Sequence, residues 1–276
     1  MTLTVFEAIL LGLIQGITEY LPLSSTGHLA LFERIFSAGS GGLLFDSMLH
    51  LGSLTAVLII YRRDISLMLK GTGSLFRGEL VFSPRDPLVT QARQFLMIIA
   101  AMLPALLLLF INKYAVMLCS MIAIVGVGFI INGAILLVMV KFAVPGRKKA
   151  NSMTVSDALL IGLAQLCAFI PGISRTAATI AVGLARGLTK KQAVTFSLLL
   201  SVPAIFLTFI FSLFSELANG VVWEDFPKYM ISFVLSAVVS FVSIRILNKI
   251  LDKNNFSNFA YYCFGIGVVT LILAFI

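Results

Sequence analysis

The chain has 276 residues, is 59% hydrophobic and only 12% charged, and has a mean hydropathy of +1.06. Soluble domains carry about twice that charged fraction, which excludes a soluble globular protein and makes an integral membrane protein the expected class. The formal charge of +8 would point to nucleic acid in a soluble chain; here the basic residues follow membrane topology, and no nucleic-acid partner is expected.

The N-terminus, MTLTVFEAILLGLIQG, has an acidic residue, no basic leader and no small-residue cleavage site, so it reads as retained structure. A spanning helix needs about 20 apolar residues. Segment 3–37 is long enough but is broken at LPLSSTG, and neither half crosses comfortably. It is expected to form a re-entrant helical hairpin, a shape tolerated where protein or a water-filled cavity satisfies the broken backbone. Spans are expected at 43–61, 94–111 and 115–140. Segment 155–187, broken at IPGISRT, predicts a second hairpin, and spans follow at 192–214, 229–250 and 259–276. Pro104 and Pro203 lie inside spans and predict kinks. Cys119, Cys167 and Cys263 sit singly in apolar runs, with neither disulfide nor zinc spacing.

The two broken segments align without gaps at an offset of 150, sharing Gln15/Gln165, Ser24/Ser174 and Thr26/Thr176 among seven identities in 22 positions. The expectation is an all-α polytopic protein, one membrane domain over 1–276, built from an inverted repeat of 1–150 and 151–276. Each half holds one hairpin and three spans, and three is odd, so the halves are inverted. With residues 62–93 inside, alternation also places 141–149, 186–191 and 245–253 inside. These segments hold 16 of the 20 Lys and Arg residues, in keeping with the positive-inside rule. The loop with Glu216, Glu224 and Asp225 falls outside. Hairpins entering from opposite faces meet at membrane depth, an architecture that builds midplane sites.

The tips carry the chemistry. Gln15 and Glu19 are four apart and share a helix face. Pro22 ends that helix, and Ser24 or Ser25 caps the next; Pro171-Gly172 and Ser174 repeat the pattern. Each tip then presents free backbone N–H groups to an anion. Arg175 beside the second cap has a fork that matches two phosphate oxygens. Glu19, with Gln15, offers oxygens to Mg²⁺ or Ca²⁺. His28 is a candidate to move a proton, and Ser25 is the nearest candidate nucleophile, with an activated water as the alternative. Asp46 and His50 form an i,i+4 pair that either supports a metal or is simply structural. Asn132 is expected to make an interhelical hydrogen bond.

QGITEYLPLSSTGH and PGISRTAAT, together with FDSMLHLGSLTAV and FSLLLSVPA, resemble the undecaprenyl-pyrophosphate phosphatase family, also called the bacitracin-resistance proteins, over nearly the whole chain. The resemblance implies metal-dependent hydrolysis of undecaprenyl pyrophosphate to undecaprenyl phosphate, the lipid carrier for cell-wall assembly. The family's acidic motif falls on Gln15 and Glu19 as metal positions. Ser25, His28, Glu19 and Arg175 become the catalytic set, and Ser24, Thr26, Gly27, Gly172, Ser174 and Thr176 the substrate-binding set. Many members have a second glutamate where Gln15 stands, and many have serine where Thr176 stands. The implied setting is the bacterial cytoplasmic membrane, multi-pass, with the site open to the outer face. The expected partners are the polyprenyl pyrophosphate substrate, surrounding lipid and a second copy of the chain in a homodimer. The rival reading is a transporter or flippase for a polyprenyl phosphate, which needs the anion site but no Ser/His/Glu set.

Overall fold

The computed structural model describes residues 3–36, 42–78, 86–107, 117–142, 146–219, 225–253 and 256–276, and helices dominate them. Both broken segments fold back on themselves. Helix α1 (Val5–Thr18) turns at 19–24 into α2 (Ser25–Phe36). Helix α7 (Val155–Ala164) runs through a 3₁₀ turn (Gln165–Phe169) and a bend into α8 (Arg175–Ala185). The same local device starts each. Thr4 accepts from Glu7 N–H at 3.2 Å while Glu7 accepts from Thr4 N–H at 2.7 Å, and Thr154 and Asp157 repeat this capping box. Asp157 is buried and also takes Lys148 at 2.9 Å and Arg186 at 2.8 Å, which ties both arms of the second hairpin together.

Between the hairpins lie α3 (Gly42–Ile60), α4 (Arg62–Phe76), α5 (Pro87–Met102) and α6 (Ile122–Phe142). After the second come α9 (Lys190–Asn219), α10 (Phe226–Lys253) and α11 (Ser257–Leu273). Among the described residues five helical stretches are long and apolar enough to cross a membrane: Gly42–Ile60, Pro87–Leu106, Ile122–Val140, Lys190–Ala218 and Phe226–Ile250. The expected sixth span is α11, which has 17 residues and a length of about 25 Å at the α-helical rise, short of the roughly 30 Å hydrocarbon core.

Two boundaries differ from the sequence reading. Residues 62–93 are not a plain loop: they contain α4, and α5 starts at Pro87 because Asp86 accepts from Leu88 N–H at 2.8 Å and proline suits the first helical turn. Positions 37, 108–111 and 115–116 of the expected hairpins and spans, 79–85 and 143–145 of the expected inside segments, and Glu224 lie outside the described residues.

Small residues let the hairpins seat deeply. Helix α1 runs alongside α10, where Ser232 donates to the Ala8 carbonyl at 2.9 Å and Ser240 to the Gly16 carbonyl at 3.3 Å. A Cβ on Gly12 would meet the Ser232 carbonyl oxygen at 2.9 Å. Helix α7 lies on α5 in the same manner: Gln165 donates to the Ala101 carbonyl at 3.0 Å and Arg93 to the Met153 carbonyl at 2.9 Å. Close approach through small residues and side-chain-to-backbone hydrogen bonds is how helices associate without a hydrophobic drive. Each hairpin thus packs on a helix from the other half of the chain.

The second tip presses on α6. A Cβ on Gly128 would collide with the Pro171 carbonyl oxygen, and backbone cannot yield as a side-chain end can. Gly128→Ala is expected to lower stability by about 1–3 kcal/mol through overpacking. A thermal melt of the purified protein in detergent checks this, and an unchanged melt would show that the tip is free to shift.

Candidate active site

The two tips meet. A Cβ on Gly27 would come within 2.8 Å of Gly172 Cα, so backbone touches backbone where the hairpins join. Gly172 itself has φ +95°, a conformation that glycine adopts without strain. Asn132 of α6 bridges them: its Nδ2 donates to the Pro22 carbonyl and its Oδ1 accepts from Ser174 N–H, both at 2.9 Å. The lone amide expected to bond between helices therefore fastens one tip to the other. Asn132→Leu strands a buried carbonyl and a buried N–H, at about 1–3 kcal/mol each. It is expected to lower the melting temperature more than Asn132→Asp, which keeps the acceptor; equal melts for the two variants would contradict the bridge.

Caps set the start of each inner arm. Ser24 accepts from Gly27 N–H at 3.3 Å, and Ser174 accepts from Ala177 N–H at 3.2 Å, which makes Ser24 and not Ser25 the first cap. Ser24 holds φ +69°, the only positive value at a non-glycine among the described residues. Such strain persists where the surroundings over-determine it, often at functional sites. The first-turn N–H groups of Ser25, Thr26, Arg175 and Thr176 have no partner among the described residues, as helix geometry requires.

Glu19 is the centre of the joined tips and only 7% exposed. Its Oε1 accepts from Arg175 Nη2 at 2.8 Å. Its Oε2 accepts from Ser25 Oγ at 2.7 Å and Gln15 Nε2 at 3.0 Å, and lies 3.0 Å from His50 Nδ1. The Glu19 carbonyl takes the Thr176 hydroxyl at 3.3 Å. Gln15, Glu19 and Ser25 of the first hairpin thus converge with Arg175 and Thr176 of the second and His50 of α3.

The neighbour of the candidate nucleophile Ser25 differs from the sequence expectation. His28 does not reach Ser25. Its Nδ1 donates to the Ser24 carbonyl and its Nε2 accepts from the Tyr262 hydroxyl, each at 2.8 Å. The reason is local: one turn into α2, the ring folds back on the cap carbonyl, which leaves the Ser25 hydroxyl to Glu19. The Ser24 bond fixes the neutral tautomer with its lone pair on Nε2. Thr26 lies beside the cap, its hydroxyl 3.4 Å from Ser24 Oγ.

His50 belongs to the site itself: its polar contacts among the described residues go to Gln15 and Glu19, and the expected pair with Asp46 makes no hydrogen bond or ion pair there. Its Nδ1 lies 2.8 Å from Gln15 Nε2 as well as near Glu19. That nitrogen donates to Glu19 when it carries the proton and accepts from Gln15 when it does not. Tyr262 carried no sequence signal: adjacent tyrosines, Tyr261 and Tyr262, in an apolar helix read as interfacial anchors.

Of the six buried side-chain polar atoms that lack a partner among the described residues, two belong to residues that bond Glu19. Arg175 Nη1 is a donor with no acceptor, and Gln15 Oε1 is an acceptor with no donor. Buried polar atoms are rarely left unpaired without a reason. An orphan cationic donor suits an anion, and an orphan oxygen beside a carboxylate suits a hard cation. Among the described residues no three Asp, Glu, His or Cys side chains come together to hold a metal. Mg²⁺ is commonly bound through one or two carboxylates plus substrate phosphates, so Gln15 and Glu19 fit a cation completed by a phosphorylated ligand.

A sequence profile described as bacitracin resistance protein BacA matches residues 8–269. The chain belongs to the BacA family. Among its relatives, the undecaprenyl-diphosphatase of Desulforapulum autotrophicum is 34% identical over 275 residues, covering 98% of this chain and 99% of that one. That of Carboxydothermus hydrogenoformans is 35% identical over 271 residues and 97% of each chain. The undecaprenyl-diphosphatase of Rubrobacter xylanophilus is 35% identical over 284 residues, with 98% of each covered. The match to BacA proteins runs through both hairpins, so the joined tips lie inside the region that defines the family.

Proposed function

We infer that this protein hydrolyses undecaprenyl diphosphate to undecaprenyl phosphate and inorganic phosphate, returning the lipid carrier to cell-wall synthesis and so conferring bacitracin resistance. The observation that carries the reading is the Ser25–Glu19–Arg175 contact, with an unpartnered guanidinium nitrogen beside it. Ser25 attacks the terminal phosphorus and its proton passes to Glu19. The bridging P–O bond breaks, and undecaprenyl phosphate leaves as a stable anion that needs no proton. Water then attacks the phosphoserine and gives its proton to His28 Nε2, freed as the half-exposed Tyr262 gives way. Glu19 returns its proton to Ser25, inorganic phosphate departs, and His28 passes its proton to solvent.

Arg175 and the free N–H groups of both tips hold the phosphoryl oxygens as charge shifts, the contribution that dominates phosphoryl transfer. A divalent cation at Gln15 Oε1 and Glu19 would neutralise diphosphate charge. The inverted repeat of 1–150 and 151–276 is supported by the exchanged packing of α1 on α10 and α7 on α5. The distribution of basic residues supports a multi-pass protein of the cytoplasmic membrane with its site open to the outer face.

A carrier for polyprenyl phosphate has no use for a serine bonded to a buried carboxylate. Proteoliposomes loaded with undecaprenyl diphosphate separate the readings. One phosphate released per lipid, stopped by EDTA, is the expected result. Lipid movement across the bilayer with no phosphate released would contradict it.

A further inference from the structure

Arg62 and Arg63 open α4, one residue beyond the end of α3, and position in the sequence explains them as topology determinants. The fold adds something that rule does not require. Helices α3 and α10 run side by side in the same direction, with Ser53 and Ser236 hydroxyls 2.8 Å apart midway, so their C-terminal ends lie together. There Ile59, Ile60, Arg62, Arg63, Phe241, Arg245 and Asn248 line a cleft of about 480 Å³. Arg245 is aimed by its own helix, its guanidinium carbon 4.3 Å over the Phe241 ring. None of the three arginines has a carboxylate within ion-pair distance among the described residues. Elsewhere on the protein a buried acid, Asp157, takes Lys148 and Arg186; among the described residues no acid lines this cleft.

We propose that this cleft binds the headgroup of an anionic membrane phospholipid, with its phosphate between Arg62, Arg63 and Arg245 and an acyl chain along Ile59, Ile60 and Phe241. Charge and shape both select the occupant. Three uncompensated guanidinium groups match a phosphate through forked donors, and the apolar floor favours an anion that carries a hydrocarbon tail over a free one. The neighbouring Asn248 amide supplies a neutral donor suited to a glycerol or phosphate oxygen. The cleft lies at the ends of α3 and α10, whereas the catalytic contacts of α3 lie at His50, ten residues earlier in the helix. The site is therefore separate from the diphosphate site and independent of the reaction assigned there.

Native mass spectrometry of the full-length protein in detergent tests the proposal, with phosphatidylglycerol, phosphatidylcholine, undecaprenyl phosphate and inorganic phosphate as probes. Each arginine near a membrane surface contributes about fivefold to anionic-lipid binding. R62A/R63A/R245A is expected to lower phosphatidylglycerol retention about 100-fold relative to phosphatidylcholine. R245A alone, which leaves Arg62 and Arg63 in place, is expected to lower it about fivefold. Phosphate release from undecaprenyl diphosphate in detergent should stay near wild type in R245A, which confirms a folded protein. Retention of phosphatidylglycerol unchanged by R245A would overturn the proposal. So would its displacement by equimolar inorganic phosphate, which marks a free-anion site, or retention of undecaprenyl phosphate alone, which marks a product site.

Discussion

Arg175→Ala is expected to cut phosphate release from undecaprenyl diphosphate by about 10³-fold, the scale of losing a preorganised donor to transition-state charge. Two losses combine. The unpartnered Nη1 no longer meets the phosphoryl oxygens, and Glu19 loses the partner on its Oε1 at 2.8 Å. A buried carboxylate stripped of its cation costs about 3–5 kcal/mol, so the variant should also melt earlier. Glu19→Gln in the Arg175→Ala background removes the stranded charge, and is expected to restore much of the melting temperature and none of the turnover. Arg175→Lys keeps the charge but not the fork, and should lie between wild type and alanine in rate. Single-turnover phosphate release and a thermal melt on the same preparations check all three. Stability that Glu19→Gln fails to restore would show that the pair is not what holds the tips.

Ser25→Ala is expected to abolish turnover, by about 10⁴-fold or more if the hydroxyl is the nucleophile. It should leave the fold intact, because the hydroxyl donates one bond, to Glu19, and the cap belongs to Ser24. The reading depends on Glu19 as the base. Acid-quenched reactions with lipid labelled at the terminal phosphate should trap label on wild-type protein and none on Ser25→Ala. A His28→Ala protein should still form the phosphoenzyme but hydrolyse it slowly, since His28 is assigned to the second step. Turnover by Ser25→Ala within tenfold of wild type would move the nucleophile to water.

The local chemistry of the tips was legible in the sequence because it is written in contiguous residues. Pro22, Pro171 and Gly172 break helices wherever they occur, Ser174 caps the helix that follows, and Gln15 and Glu19 share a face by spacing alone. What escaped depends on packing between distant segments. Asn132 reaches Pro22 over 110 positions, His28 reaches Tyr262 over 234, and His50 reaches Gln15 over 35. A polar residue in an apolar helix announces that it has a partner but not which one. The sequence offers His28 as a proton carrier near Ser25 but does not show that the cap carbonyl holds its ring away from that hydroxyl. Helix α4 was missed for the opposite reason: its apolar residues are diluted by Arg62, Arg63 and Asp64, and its support comes from packing on α5.

The central claim is that residues from two hairpins, 150 positions apart in the sequence, act on one diphosphate. Phosphate release by Ser25→Ala, Arg175→Ala and the double variant tests it most directly. Residues that act as a unit are grossly non-additive, so the double variant is predicted to be no slower than the slower single. A double variant slowed by the product of the two single effects would place Ser25 and Arg175 in independent roles and contradict the joined site.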